Sequence, residues 1–305
     1  MFRVRRLLAP FVLCIALLFS EAQAFTIAWL SDTQNYHNAY KPIFDGMTQW
    51  IADNRAALDI RFVFHTGDVV GSWRSEDQWR QARESMDILS SASIPFLAAC
   101  GNHDIGYRMN YANFLKYVLS LRPASMSQEY GDTGSRYELF SANGRDYIFM
   151  GIAFSNKGPS EDEVNWINGV LRQYSSRDAI IITHSYLKKS ASYTTQGKAI
   201  FEKIVKANPN VFLVLCGHCR DISYKNVQLD DDGDGNPDRT VYAILSNFQG
   251  GKAGGGGYMR ILDFRDSDIY IYTYSPYYDS CEYPKYPKGK TEATVPLPRL
   301  RYMAK

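Results

Sequence analysis

Five short apolar runs in this 305-residue chain end in side chains that bind metals or move protons. The first ends in Ser31-Asp32-Thr33-Gln34, the second in Thr66-Gly67-Asp68 and the third in Gly101-Asn102-His103-Asp104. The fourth ends in Thr183-His184-Ser185 and the fifth in Gly217-His218-Cys219-Arg220. Singly, each has an ordinary explanation: an Asp after a strand caps a turn, Gly-Asp and Gly-Asn are turn chemistry, and a lone His is usually structural. The set of five in this order is much harder to explain as turns. Carboxylates, carboxamides and imidazoles brought to one place form an oxygen- and nitrogen-rich donor set for divalent cations. Gly67, Gly101 and Gly217 each sit just before a ligand-type residue, where a tight turn must aim the next side chain inward.

For the clusters to meet, the runs before them must be strands of an α/β arrangement, in which ligands bind beyond the carboxyl ends. Thr26–Leu30, Arg61–His65, Phe96–Cys100, Ala179–Thr183 and Val211–Cys216 read as those strands. Amphipathic spacing predicts helices over Ile43–Arg55, Asp77–Leu89, Tyr111–Leu119, Glu161–Tyr174 and Gly197–Ala207. Tyr137–Phe140 and Tyr147–Ile152 form a hairpin closed by Asn143-Gly144. After Gly217 the helical pattern stops, and Tyr224–Leu229, Val241–Ser246, Tyr258–Phe264 and Ile269–Tyr274 read as strands. Gly250–Gly257 and the Pro- and Lys-rich tail after Pro284 read as loops. The expectation is a single domain over residues 25–305, β-rich over 221–280, with a tail over 281–305.

The five clusters resemble the calcineurin-like metallophosphoesterase superfamily. Its pattern is D-x-H, G-D, G-N-H-D or G-N-H-E, a His, and G-H-x-H, all at strand ends. Here it reads Asp32-Thr33-Gln34, Gly67-Asp68, Gly101-Asn102-His103-Asp104, His184 and Gly217-His218-Cys219-Arg220. The stretches Ser31-Asp32-Thr33-Gln34-Asn35-Tyr36 and Thr273-Tyr274-Ser275-Pro276 resemble a bacterial branch of it. The resemblance implies a four-layer α/β/β/α sandwich with two mixed sheets. It implies two divalent metals, Mn, Fe, Zn or Mg, bridged by Asp68. Asn102, His184 and His218 would complete the second site, and Asp32 and Gln34 the first. The reaction implied is hydrolysis of a phosphate mono- or diester by metal-activated hydroxide attacking phosphorus. His103 would contact the phosphate or protonate the leaving oxygen, with Asn102 beside it and Asp104 orienting it.

Two residues depart from the pattern. Gln34 stands where the commoner motif has His; its amide oxygen is a harder, weaker donor, which favours Mn or Mg over Zn. Arg220 stands where the last His would bind the first metal, and a guanidinium has no acceptor to offer. Either Arg220 clamps the substrate phosphate in bidentate fashion, or the first site stays empty until substrate arrives. In both cases the second site is expected to bind more tightly. Arg220 also keeps a second reading alive: a non-catalytic, single-metal protein that binds a phosphate ligand. A third reading, a Ca²⁺-stabilised extracellular module, rests on the acidic loop alone. Cys219 should point away from the site, as the neighbour of a ligand on an extended segment. His65 is read as structural, His37 as lining the site's mouth or reaching the first metal, and Asn35 and Tyr36 as residues of the mouth.

Composition bounds the rest. With 45% hydrophobic and 22% charged residues this is an ordinary folded chain. A formal charge of +2 indicates no nucleic-acid surface. Residues 1–24 read as a secretory signal: Arg3, Arg5 and Arg6, the apolar run Leu7–Phe19, and Ala22-Gln23-Ala24. Without them the count is 31 basic against 31 acidic residues, so the exported protein is neutral. A soluble, monomeric, secreted or periplasmic protein is expected, with no membrane span after cleavage. Asp230-Asp231-Asp232-Gly233-Asp234-Gly235-Asn236-Pro237-Asp238 resembles the start of a calcium loop but lacks its closing Glu, since Val241 holds that place. A structural Ca²⁺ over Asp230–Asp238 competes there with a plain hairpin turn. Cys100, Cys216, Cys219 and Cys281 allow three pairings, of which Cys219 with Cys281 is the most reasonable disulfide.

Overall fold

The computed structural model describes residues 24–106, 109–121, 128–286 and 289–298. The expected signal segment before Ala24 and the end of the tail lie outside these. The chain runs β1 (Phe25–Leu30), α1 (Lys41–Asp53), β2 (Ile60–His65), α2 (Glu76–Ser91), β3 (Phe96–Ala98), the one-turn α3 (Asn102–Ile105) and α4 (Ala112–Tyr117). It continues through β4 (Gln128–Tyr130), β5 (Ser135–Ala142), β6 (Arg145–Ile152), α5 (Glu161–Gln173), β7 (Asp178–Thr183), α6 (Thr195–Ile200) and β8 (Val211–Cys216). Then come β9 (Ile222–Leu229), β10 (Arg239–Ser246), β11 (Met259–Phe264), β12 (Asp268–Tyr274) and β13 (Ala293–Pro296).

The strands form two mixed sheets, a six-stranded one in the order β13-β12-β11-β1-β2-β3 and a seven-stranded one in the order β4-β5-β6-β7-β8-β10-β9. In the first, β1, β2 and β3 are parallel while β11 joins β1 antiparallel. In the second, β6, β7, β8 and β10 are parallel and β9 closes the edge antiparallel. Alternation along β1 shows the layering. Phe25, Ile27 and Trp29 pack with Phe149, Ile180 and Leu213 of the other sheet, while Ala28 and Leu30 face Phe44, Met47 and Trp79 of the helices. Because both faces are covered, the central strands are apolar throughout. α1 and α2 cover one outer face, and α5 and α6 the other, around Ile167, Leu171, Ile200 and Ile204. The result is the expected four-layer α/β/β/α sandwich.

The helices start where their caps dictate. Ser75 accepts from the Gln78 amide ahead of Glu76 and Asp77, and Ser160 accepts from the Glu163 amide ahead of three acidic residues. Burial of Trp79, Ala82, Met86 and Leu89 at three- to four-residue spacing then seats α2 on the sheet.

Four expectations need correction or sharpening. The tail is not all loop: Ala293–Pro296 pairs with β12 as an edge strand, where a terminal Pro is tolerated. The predicted helix over Gly197–Ala207 is α6 followed by a π-helical turn over Phe201–Val205. Cys100, Cys216, Cys219 and Cys281 are all free, so the Cys219–Cys281 disulfide is absent; Cys219 packs instead against the core behind the second sheet. The acidic loop is a turn between β9 and β10. Asp230 accepts from the Gly233 and Gly235 amides, and Asp238 from the Asp231 amide. Three of its exposed carboxylates approach one another within 4.8 Å. It lies at the opposite end of β10 from the catalytic-type loops.

Candidate metal centre

All five polar clusters lie where β1, β2, β3, β7 and β8 end, so the site straddles the two sheets. Asp32, Asp68 and Asn102 come from the first sheet, His184 and His218 from the second. The turns that deliver them are unusual. Asp32 and Asp68 have φ of 53° and His218 of 70°, in the left-handed region that costs most side chains energy. The glycines make room. A Cβ on Gly101 would lie 2.1 Å from Asp68 Oδ1, and one on Gly217 would lie 2.2 Å from Asp32 Oδ2. Gly67, at φ +94°, lets the second loop press on the Gly101 backbone.

His184 is the centre of the arrangement. Its Nδ1 donates to the Thr66 carbonyl at 2.9 Å, which fixes the ring and turns Nε2 into the site. Around Nε2 stand Asn102 Oδ1 at 3.0 Å, His218 Nδ1 at 3.1 Å and Asp68 Oδ2 at 3.2 Å. Asn102 Oδ1 and the Asp68 carboxylate are acceptors, and with two imidazoles they form a donor set for a cation. Burial disfavours charge on His184, but Asp68 and then Asp32 outweigh it and lift its pKa to about 9. Burial, with His184 adding to it, pushes His218 down to about 4. Burial raises Asp32, with Asp68 adding to it and His184 opposing. Asp68 is held below the usual carboxylate range, because His184 and His103 overcome the effect of burial.

The ligand atoms of Asp68, His184 and His218 lie within 4.8 Å of one another, and Asn102 Oδ1 joins them through His184. This set fits a divalent cation. The donors of the other position are present but differently engaged. Asp32 accepts from the Ser31 hydroxyl and from the His218 amide at 3.1 Å. Gln34 donates Nε2 to Asp68 Oδ2 at 3.2 Å, and its Oε1 is buried without a partner. Rotating that carboxamide exchanges O for N and would turn the oxygen toward Asp68, as a cation there requires. Arg220 is exposed, and it makes no hydrogen bond or ion pair with a described residue.

The remaining expected residues fall into two groups. His103 sits at the rim; its amide donates to Asp68 Oδ1 at 2.9 Å and its Nδ1 faces the Gly71 carbonyl at 2.9 Å, which leaves Nε2 outermost. Asp104 does not orient His103. It is fully buried and accepts from the amides of Val69, Val70 and Gly101, bracing the second loop against the third. His65 is structural: Nδ1 accepts from the Gly67 amide, Nε2 faces Thr33 Oγ1, and burial drives its pKa to about 3. Tyr36 is buried rather than at the mouth, and its hydroxyl accepts from the Gly257 amide. Asn35 donates to the Gln249 carbonyl. The Nδ1 of His37 is buried without a partner.

Two contributors escaped sequence reasoning. Asn247, just beyond β10, donates to the His218 carbonyl at 3.1 Å. It is a sixth polar residue at a strand end, and that position was its signal. Phe154, after β6, lays its ring beside His184 and His218, with centroids 5.8 and 6.0 Å away. Nothing in its local sequence marks it.

Comparison with known proteins agrees with this geometry. A family model for calcineurin-like phosphoesterases matches residues 25–219. The Bacillus subtilis (strain 168) protein YvnB, itself uncharacterised, is 41% identical over 259 residues, covering 83% of this chain. The chain spans only 20% of that relative's length. Among solved structures, a dimetal phosphatase from Danio rerio superposes with a TM-score of 0.60 at 12% identity, covering 89% of this chain and 98% of that one. The purple acid phosphatase PPD1 of yellow lupin gives 0.60 at 12% identity, covering 90% of this chain and 55% of that one. GAP50, the anchor in the inner membrane complex of Plasmodium, gives 0.58 at 13% identity over 91% of this chain and 90% of that one. With its motifs at the ends of five strands and its sandwich shared with two metallophosphatases, the chain belongs to the calcineurin-like phosphoesterase family.

Proposed function

We propose that this chain is an exported, metal-dependent phosphoester hydrolase. The observation that carries the reading is the gathering of Asp68, Asn102 and His218 around His184 Nε2. Asp68, Asn102, His184 and His218 would hold the tighter metal, and Asp32, Gln34 and Asp68 the weaker one. Bound there, divalent cations polarise phosphoryl oxygens and lower the pKa of water. The chain's own residues do the rest. His184 keeps its donor atom aimed into the site through the Thr66 carbonyl. His103, anchored through Nδ1 to Gly71, has Nε2 free to pass a proton to the leaving oxygen. Arg220 presents a planar fork that matches two phosphate oxygens. Export rests on the signal-like residues 1–24, and among the described residues no helix is long and apolar enough to cross a membrane.

The test is turnover of a chromogenic phosphomonoester beside the matching diester, with Mn²⁺ added. Asp68→Asn should lower kcat/KM about a thousandfold, the scale of several kcal/mol of lost electrostatic stabilisation. Absence of turnover of either ester, or an Asp68→Asn rate equal to that of the parent, refutes the hydrolase. One observation favours a second reading: a cation at residue 220 where the family pattern places a ligand. It supports a single-metal protein that binds phosphate without cleaving it.

A further inference from the structure

Beside the centre lies a groove of about 780 Å³, the size of a small-molecule site. Its floor is aromatic. Tyr258 and Tyr283 meet edge to face at 4.9 Å, and Tyr278 leans on Tyr258 at 5.8 Å. Lys252 and Lys285 stand at its rim. Tyr278 is 43% exposed and its neighbour Tyr277 54%, which makes them, with Tyr40, the large apolar side chains most open to water among the described residues.

The groove is joined to the metal loops by named bonds. Gly250 lines it, and a Cβ there would lie 3.7 Å from Arg220 Cδ. Asn247 donates to the His218 carbonyl and accepts from the Gln249 amide, and Asn35, the residue after Gln34, donates to the Gln249 carbonyl. Lys285 pairs with Asp221, next to Arg220, at 3.2 Å. The wall is closely fitted. Gly254, Gly255, Gly256 and Gly257 all have positive φ, and a Cβ on Gly256 would sit 2.4 Å from the Tyr278 ring. The Thr273-Tyr274-Ser275-Pro276 stretch holds Tyr278 in place: the Ser275 hydroxyl donates to the Gly256 carbonyl and accepts from the Tyr278 amide.

We infer that this groove takes the leaving group of the substrate, and that the leaving group carries a planar heteroaromatic ring stacked on Tyr278, as a nucleoside does. The inference rests on the hydrolase reading above. The groove offers ring faces more than fixed acceptors: the Tyr258 hydroxyl is already spent on the Glu282 carbonyl. At its rim Lys252 and Lys285 stand with Glu282, and Lys285 is paired to Asp221, so the positive charge for an anionic ester lies with Lys252 and with Arg220 beyond Gly250, and the ring would lie over the tyrosines.

Adenosine 5′-phosphate and ribose 5-phosphate, each as the monoester and as its methyl diester, differ only in the ring. The parent should prefer the adenosine ester by about ten- to a hundredfold in kcat/KM, the scale of one stacked base. Tyr278→Ala should bring that ratio to about one, and Tyr40→Ala, an exposed tyrosine elsewhere, should leave it unchanged. A parent ratio near one, or a ratio indifferent to Tyr278→Ala, overturns the inference. Adenosine alone, titrated against the full chain and followed by tyrosine fluorescence, gives a readout without turnover. Saturable binding weakened about tenfold by Tyr278→Ala supports the groove. Absence of saturation up to about 10 mM overturns it. Binding of adenosine with no turnover of any ester would therefore fail the hydrolase alone, and turnover without ring preference would fail the groove alone.

Discussion

At the scale of single residues, Arg220 decides what kind of centre this is. Its position two residues after His218 is that of a ligand, but its chemistry is that of an anion receptor. Arg220→Ala should raise KM about ten- to a hundredfold, the value of one or two charged hydrogen bonds, with a smaller change in kcat. Arg220→His should not exceed the parent in kcat/KM with either Mn²⁺ or Zn²⁺; a gain would show that Arg220 merely blocks a metal. The strand-end placement of the six metal-ligand candidates was legible because each is a donor type that follows an apolar run. Asp104 was legible as a residue but not in its role. A carboxylate beside a His suggests an orienter, yet three backbone amides claim it, those of Val69 and Val70 on the second loop and of Gly101 on its own. Such a contact between residues 69 and 104 has no local signature.

At the scale of elements, the turns after the strands carry the design. Gly101 shows how little slack they have: a Cβ there meets Asp68 Oδ1 at 2.1 Å and the Asp68 backbone nitrogen at 2.3 Å. Gly101→Ala should cost about 1–3 kcal/mol of stability and weaken metal binding at least about tenfold, read by denaturant midpoint and metal titration. Gly46, inside α1, has nothing within 4 Å of its missing Cβ. Gly46→Ala should instead be neutral or stabilise by up to about 1 kcal/mol without touching metal affinity. The helices and central strands were readable from apolar periodicity because packing and propensity agree there. β13 and β4 were not. Ala293–Pro296 has one buried anchor, Val295, and Gln128–Tyr130 has none, so both are strands only because a neighbour's edge needs a partner.

At the scale of the molecule, the centre joins two sheets that meet through apolar contact around Trp29, Phe64, Phe149 and Ile182 and through the buried Arg260, which donates to the Tyr224 hydroxyl. A cation held from both sides therefore adds to global stability by mass action. At a hundredfold excess over its dissociation constant, Mn²⁺ should stabilise the protein by about 3 kcal/mol. Chelation should accordingly lower the thermal midpoint by several degrees, and superimposable melts of chelated and Mn²⁺-loaded protein would contradict the proposed centre. The same placement has a consequence for how the chain acquires its structure. Hairpins such as β5–β6 close locally, but Asp68 and His184 become neighbours only when one sheet docks on the other. Binding competence thus rests on a long-range contact, of the kind that costs the most loop closure to form. A chain whose two sheets stood apart would hold the ligands of a metal centre and no place to gather them.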